Sequence, residues 1–362
     1  MKQSSKQRIF ISDCEGPISK NDNAFELASH YIPDGNRLFT LISKYDDVLA
    51  DIVKRADYKA GDTLKLILPF LKAYGVTNQA ITDYSSKNVL LVPEAKEMLR
   101  FVRNFMPSFI VSTSYEQYMR ALCDLLDFPF ENVHCTRLDL DKYKISEKEV
   151  AQIKRLIEKM VTMPIPEIPK GAKSLKDFQK EHRDTVNKLD EIFWKELSQM
   201  SVGVILREIN PVGGDEKAEA VQNIVTQLKT SMHNVMYVGD SITDVSVFRL
   251  VRKKGGLTIS FNGNAYAVRE AEIAVLSENA IVTAVLANAF NKFGKETVMK
   301  LVKNWKASTL DEFGLTLPLK KHFYELHGKK LPRVEIVTSQ NMEKLMKEST
   351  SFRKTVRGEA IG

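Results

Sequence analysis

Short apolar bursts alternate with longer stretches of helical period along this chain. Residues 8–12 are mostly apolar and read as a buried strand. From Ala24 to about Ile81 the period is helical. Phe25, Leu27 and Ala28 begin it, Leu38, Leu41 and Ile42 continue it, and Leu64, Leu66, Ile67 and Leu71 follow. Pro33-Asp34-Gly35 and Tyr74-Gly75 divide this stretch into separate helices. Val92-Pro93 opens a further helix that runs through Val102. Phe109-Ile110-Val111 reads as a second strand ending at Ser112-Thr113-Ser114, a helix follows from Tyr115 to Leu126, and residues 131–135 read as a third strand. Strand alternating with helix predicts a parallel α/β sheet.

Residues 144–200 interrupt that rhythm. Ile145 to Met160 and Leu175 to Leu197 are charged and helical in period, while Met163-Pro164-Ile165-Pro166-Glu167-Ile168-Pro169 between them cannot be helix. Val202 to Ile209 reads as a strand leading back to the sheet, and Pro211-Val212-Gly213-Gly214 turns into a helix over Glu216 to Leu228. The sheet resumes at Val235–Val238, with a helix at 242–252, a strand at Leu257–Phe261 and a last short strand at Ile273–Leu276. From Ala280 onward helices dominate, and the polar, basic stretch from Lys347 to Gly362 reads as a frayed end. The organisation expected is an α/β core over 1–18, 92–140 and 206–290, a helical cap over 19–91, a second helical insertion over 141–205 and a helical extension over 291–362.

Composition changes this picture little. The 362 residues leave room for two or three domains' worth of core, and 43% hydrophobic with 27% charged content is ordinary for a soluble globular chain. No apolar run approaches the roughly 18 residues a membrane span needs, so no membrane insertion is expected. The first seven residues lack the apolar region of a signal peptide. Cys14, Cys123 and Cys135 show no metal-ligand spacing and are odd in number, which argues against a disulfide framework; a reducing cytoplasm is the compartment expected. The net charge of +7 is spread along the chain with no basic stripe interleaved with aromatics, so nucleic acid is not expected as a partner.

The chemistry concentrates at two strand ends. Arg8-Ile9-Phe10-Ile11-Ser12 delivers Asp13 and Glu15 onto Gly16, and Val235-Met236-Tyr237-Val238 delivers Asp240 and Asp244 after Gly239. Ligands of a parallel sheet sit beyond the carboxyl ends of its strands. Alternation points Asp13 and Glu15 the same way. A carboxylate can attack a phosphoryl group and hold it, and a second acid can protonate the leaving oxygen and then take a proton from water. Taken alone, the two acids read equally well as a solvated strand end. The second acidic pair shifts the balance. Two acid-bearing strand ends side by side suit magnesium, which takes oxygen ligands in octahedral geometry. Asp240 can supply a direct ligand, and Asp244 can orient a water or hold a lysine. Ser112 and Thr113 could bind phosphate oxygens at a strand-to-helix turn, and Lys217 at the start of its helix could neutralise the transferring group.

The order of these parts resembles the haloacid dehalogenase-like (HAD) superfamily, through Asp13-Cys14-Glu15-Gly16, Ser112, Lys217 and Gly239-Asp240-Ser241-Ile242-Thr243-Asp244. The resemblance covers residues 8–16, 108–135 and about 210–290. It implies a Rossmann-like α/β core with helical cap insertions and a phosphatase working through an aspartyl phosphate. Asp13 would be nucleophile and metal ligand. Glu15 would be a ligand through its backbone carbonyl and the acid/base through its side chain. Asp240 would complete the ligands to Mg2+, and Ser112 and Lys217 would grip the phosphate. The stretch Ser112-Thr113-Ser114-Tyr115-Glu116-Gln117-Tyr118 looks like phosphoserine phosphatase-like members, whose caps often place an acid against a substrate amine; Asp22 falls there. The arrangement also resembles an archaeal subgroup, some of whose members are labelled energy-converting hydrogenase subunit R.

Two departures stand out. Glu15 replaces the commoner Asp, and Pro17 stands where Thr or Val is usual. The expected activity is a magnesium-dependent phosphatase on a small phosphorylated metabolite. Two alternatives stay open: a non-catalytic subunit or assembly protein of a redox complex, and a phosphotransferase or mutase. A protein partner or homo-oligomer is left open as well.

Overall fold

The computed structural model describes residues 7–56, 58–328 and 330–357. The chain enters through β1 (Ile9–Ser12), whose four residues are all buried, as a strand covered on both faces requires. The first helical insertion follows: α1 (Asn23–Tyr31), capped by the Asp22 carboxylate accepting from the Phe25 amide; α2 (Gly35–Asp47), prolonged by a π-helical turn over Val48–Val53; α3 (Thr63–Ala73); and α4 (Asn78–Asn88). Helix α5 (Ala95–Arg103) leads to β2 (Ser108–Tyr115). That strand is longer than its apolar run. It carries Ser112, Thr113 and Ser114 within it, and its register against the next strand breaks between Val111 and Tyr115. Then come α6 (Glu116–Leu126) and β3 (Val133–Thr136).

The second insertion starts at α7 (Glu147–Met160), where Ser146 and Glu149 form a reciprocal capping box. Its other long helix is α8 (Lys180–Glu191), extended by a π-helical turn to Glu196. The strand expected over Val202–Ile209 is absent. A 3₁₀ turn at Ser201–Val204 runs instead into the short α9 (Ile205–Glu208). The apolar run is too brief for its period to choose between strand and helix, and Val202, Ile205, Leu206 and Ile209 all bury into the insertion's own core.

The sheet resumes through α10 (Asp215–Gln227), β4 (Val235–Gly239), α11 (Val245–Lys253), β5 (Leu257–Phe261), α12 (Ala265–Glu270) and β6 (Ile273–Leu276). Four helices follow: α13 (Ile281–Phe293), α14 (Lys295–Lys303), α15 (Ala307–Glu312) and α16 (Leu317–His327). A strand not foreseen, β7 (Arg333–Ile336), then adds antiparallel to β6, and α17 (Met342–Arg357) closes the described chain. The stretch read as a frayed end is thus helical as far as Arg357; residues 358–362 lie outside the described ones.

The fold is α/β, a seven-stranded sheet in the order β3-β2-β1-β4-β5-β6-β7, parallel except for β7. Phe10 packs into the large cluster with α5, α6 and α13, while Ile9 and Ile11 pack into the cluster with α10 and α11, so helices cover both faces. Strand order reverses between β1 and β4, which opens a crevice at their carboxyl ends. The two helical insertions share one apolar core. Tyr45 stacks on Phe193 at 5.7 Å between ring centroids, and the Trp194 indole donates to the Tyr45 hydroxyl at 2.9 Å. Among the described residues no helix is long and apolar enough to cross a membrane.

Candidate active site

Asp13 leaves β1 at the crevice. Its amide donates to the Val238 carbonyl at 2.8 Å, which ties the end of β1 to β4. Its Oδ1 accepts from the Cys14 amide at 2.7 Å, and its Oδ2 lies 2.6 Å from Lys217 Nζ. Lys217 is fully buried at the start of α10 and also lies 2.9 Å from Asp244 Oδ1. One ammonium shared by two buried carboxylates compensates only one of them. Burial therefore raises the Asp13 carboxyl to about 7, with Asp244 adding to the rise and Lys217 opposing it. Burial pulls Lys217 down, but Asp13 and Asp244 more than offset this and hold it protonated, near 12.

Asp244 has no acceptor left over. Oδ1 also takes the Tyr237 hydroxyl at 2.7 Å, and Oδ2 takes the amides of Asp240 and Ser241 at 2.9 and 3.0 Å. It brackets the loop after β4 and holds Lys217. Asp240 is different. Its Oδ2 accepts from Arg353 and, at 2.9 Å, from Arg357, while its buried Oδ1 has no hydrogen-bond partner among the described residues. Oxygens of Asp13, Asp240 and Asp244 lie within 4.8 Å of one another. An all-carboxylate set with one orphaned, buried oxygen fits a hard divalent cation, with Asp13 and Asp240 as the natural donors because Asp244 is already saturated. Gly16 makes this possible. Its φ is +103°, and a Cβ there would overlap the Asp240 carboxylate.

Glu15, Thr113 and Asp22 line a cavity of about 180 Å³ between the carboxyl ends of the strands and the first insertion. The Glu15 carboxylate takes the Ser114 hydroxyl at 2.7 Å and the Asn23 amide at 3.3 Å. Ser112 is fully buried beneath, and its hydroxyl accepts from the Ser114 amide at 3.1 Å. Because β2 runs on to Tyr115, these hydroxyls sit within a strand rather than at the expected strand-to-helix turn. Asp22 faces the cavity from the start of α1. Burial and then Glu15 raise its carboxyl to about 6. Gly61, with φ of +98°, brings the first insertion against the methyl groups of Thr113 and Thr243, where a Cβ would stand 3.1 and 3.2 Å away.

Arg353 and Arg357 were not foreseen. Both line the cavity, with side chains 5% and 3% exposed. Burial and then Arg357 press the Arg353 proton affinity down, while Asp22, Asp13 and Glu15 oppose this. The signal in the sequence is slight: two arginines four residues apart share a helix face, a spacing with no stated target.

No family model matches the chain, and no curated protein matches it. Among solved structures, the chain is similar to gene product AF1437 from Archaeoglobus fulgidus, at 25% identity over 98% of both chains with a TM-score of 0.79. A looser likeness, with a TM-score of 0.46, links it to a phospho-aspartyl intermediate analogue of phosphoserine phosphatase, at 14% identity over 76% of this chain and 96% of that one. A substrate-bound phosphoserine phosphatase complex aligns at 13% identity over 76% and 95% with the same TM-score. Likenesses that loose carry nothing about chemistry; what the AF1437 match supports is the fold over nearly the whole chain.

Proposed function

We propose that the protein is a phosphomonoester hydrolase of the haloacid dehalogenase-like type, dependent on magnesium and acting on a small phosphorylated metabolite. The observation that carries this reading is the grouping of Asp13, Lys217 and Asp240 at the crevice between β1 and β4, with one Asp240 oxygen unpartnered. Asp13, Asp240 and the Glu15 backbone carbonyl would hold magnesium, which would neutralise charge on the phosphoryl oxygens.

Asp13 attacks phosphorus, the ester P–O bond breaks, and Glu15 gives its proton to the departing oxygen. Glu15 then takes a proton from water as the water oxygen attacks the aspartyl phosphate, which releases inorganic phosphate and restores Asp13. Lys217 stays charged, holds the Asp13 carboxylate and would grip the phosphate. Thr113, which lines the cavity, and Ser112 beneath it would be the phosphate-binding hydroxyls of this reading. Asp22 would meet an amine on the substrate, and the helical insertion over the cavity would exclude water. The motif order supports this assignment, and a cytoplasmic setting fits it.

The test is hydrolysis of an aryl phosphate and of a set of phosphorylated metabolites, with magnesium and with EDTA. Activity should require the metal, and Asp13→Asn should lower it by about 10³-fold or more. Glu15→Gln should slow turnover more than it weakens substrate binding. One observation favours the non-catalytic alternative, namely the two guanidinium groups on Asp240. A chain inactive on every ester, with Asp13→Asn indistinguishable from it, would decide for that alternative.

A further inference from the structure

Helix α17 reaches the site from the far edge of the sheet. It follows β7, the strand furthest from β3, and packs on α12 and β6. Its apolar footing is small: Leu345 joins Val268 and Ala274 in a satellite cluster, with Val337 and Met346 at its margin. Polar contacts do the remaining holding. The Ser349 hydroxyl donates to the Gly263 carbonyl at 2.7 Å. One and two turns further, Arg353 and Arg357 both reach Asp240 Oδ2, and Arg357 also donates to the carbonyls of Lys20 and Asn21 at 3.2 and 2.8 Å. The end of the helix is therefore fastened in part through one carboxylate. That carboxylate is also the one whose other oxygen has no hydrogen-bond partner among the described residues.

We infer that Arg353 and Arg357 are positioning residues of the metal site: they hold Asp240 by Oδ2, leave Oδ1 to a divalent cation, and oppose that cation through their charge. This rests on the reading that Asp13 and Asp240 share such a cation. A cation and two guanidinium groups on one carboxylate repel one another in a poorly solvated crevice, where Coulomb energies are several-fold larger than in water. The opposition is thermodynamically reciprocal. If the docked arginines weaken cation binding by some factor, cation binding weakens the docking of the helix end by the same factor.

The sign separates this from a plain anchoring role. Magnesium is titrated calorimetrically into the full chain, without substrate, for the parent protein and for Arg353→Gln, Arg357→Gln and Arg357→Lys. Each glutamine variant should bind magnesium about tenfold tighter, within the usual range of such couplings, and the lysine variant should stay close to the parent. Amide exchange of residues 349–357 in the unaltered protein needs no variant, and it should speed up with a midpoint at the magnesium dissociation constant. Equal or weaker binding in both glutamine variants, or exchange indifferent to magnesium, overturns the inference. A chain that hydrolyses phosphate esters with an indifferent α17 overturns this inference and leaves the proposed function standing. A chain in which magnesium loosens α17 but no ester is hydrolysed does the reverse.

Discussion

Lys217 Nζ lies 2.6 Å from Asp13 Oδ2 and 2.9 Å from Asp244 Oδ1, with the lysine fully buried. The ammonium is the internal counter-ion that lets two carboxylates stand together beneath the crevice. Removing one partner of a buried ionic group leaves the others uncompensated, which typically costs about 3–5 kcal/mol. Lys217→Met should lower unfolding free energy by that order in denaturant titrations at neutral pH, and the loss should shrink in acid as the carboxyls protonate. A midpoint equal to the parent's would show that the lysine is not the counter-ion.

Gly16 and Asp240 share too little space for a side chain between them. At a φ of +103° an alanine is strained as well as crowded. Gly16→Ala should destabilise the chain by about 1–3 kcal/mol and weaken magnesium binding by pushing Asp240 aside. Calorimetry of the purified variant tests this, and parent-like affinity and melting temperature together would reject it.

Buried carboxyls make stability fall with rising pH. Burial raises Asp46 to about 7, against hydrogen bonds from the Tyr58 hydroxyl and the Gly61 amide. Asp22 and Glu26 rise to about 6 and about 7, mainly through burial. The folded chain thus keeps protons that the unfolded chain has released above the ordinary carboxyl range near 4. Their contribution is fully present below that range and is lost as pH rises through about 6 to 7. The metal-free protein should melt higher at pH 5 than at pH 8, and Asp46→Asn should flatten the difference. An equal slope in parent and variant would remove Asp46 from the account.

Phe193 belongs to the second insertion but stacks on Tyr45 and meets Phe70 edge-on at 5.9 Å, both in the first. Phe193→Ala should cost about 3–5 kcal/mol and speed amide exchange in α2 and α3 as well as in α8. Exchange altered only within residues 180–205 would mean that the two insertions do not unfold as one body.

Local chemistry was legible where it is carried by neighbours in the chain. The apolar runs before Asp13 and Asp240 bury as strands because a sheet covered on both faces needs unbroken apolar residues. Asp244 follows Asp240 by four residues, and backbone geometry alone lets it cap the turn. The α/β class followed from the same alternation. Residues 202–209 were misread because five or six apolar positions suit either period. Strand β7 escaped notice because Arg333-Val334-Glu335-Ile336 is short, half polar and only partly buried at an edge.

Tertiary structure alone decided what stands opposite what. The sequence determined two acidic strand ends; only the sheet order made β1 and β4 neighbours and set both acids at the point where that order reverses. The fusion of the two insertions into one core depends on packing between residues some 150 positions apart. The pairing of Arg353 and Arg357 with Asp240 spans more than a hundred residues, and the four-residue spacing of the two arginines does not name their target. Periodicity and capping are properties of contiguous residues, so a single sequence displays them. Ion pairs and shared cores depend on where distant elements land, and that is settled only when the whole chain buries its apolar surface together.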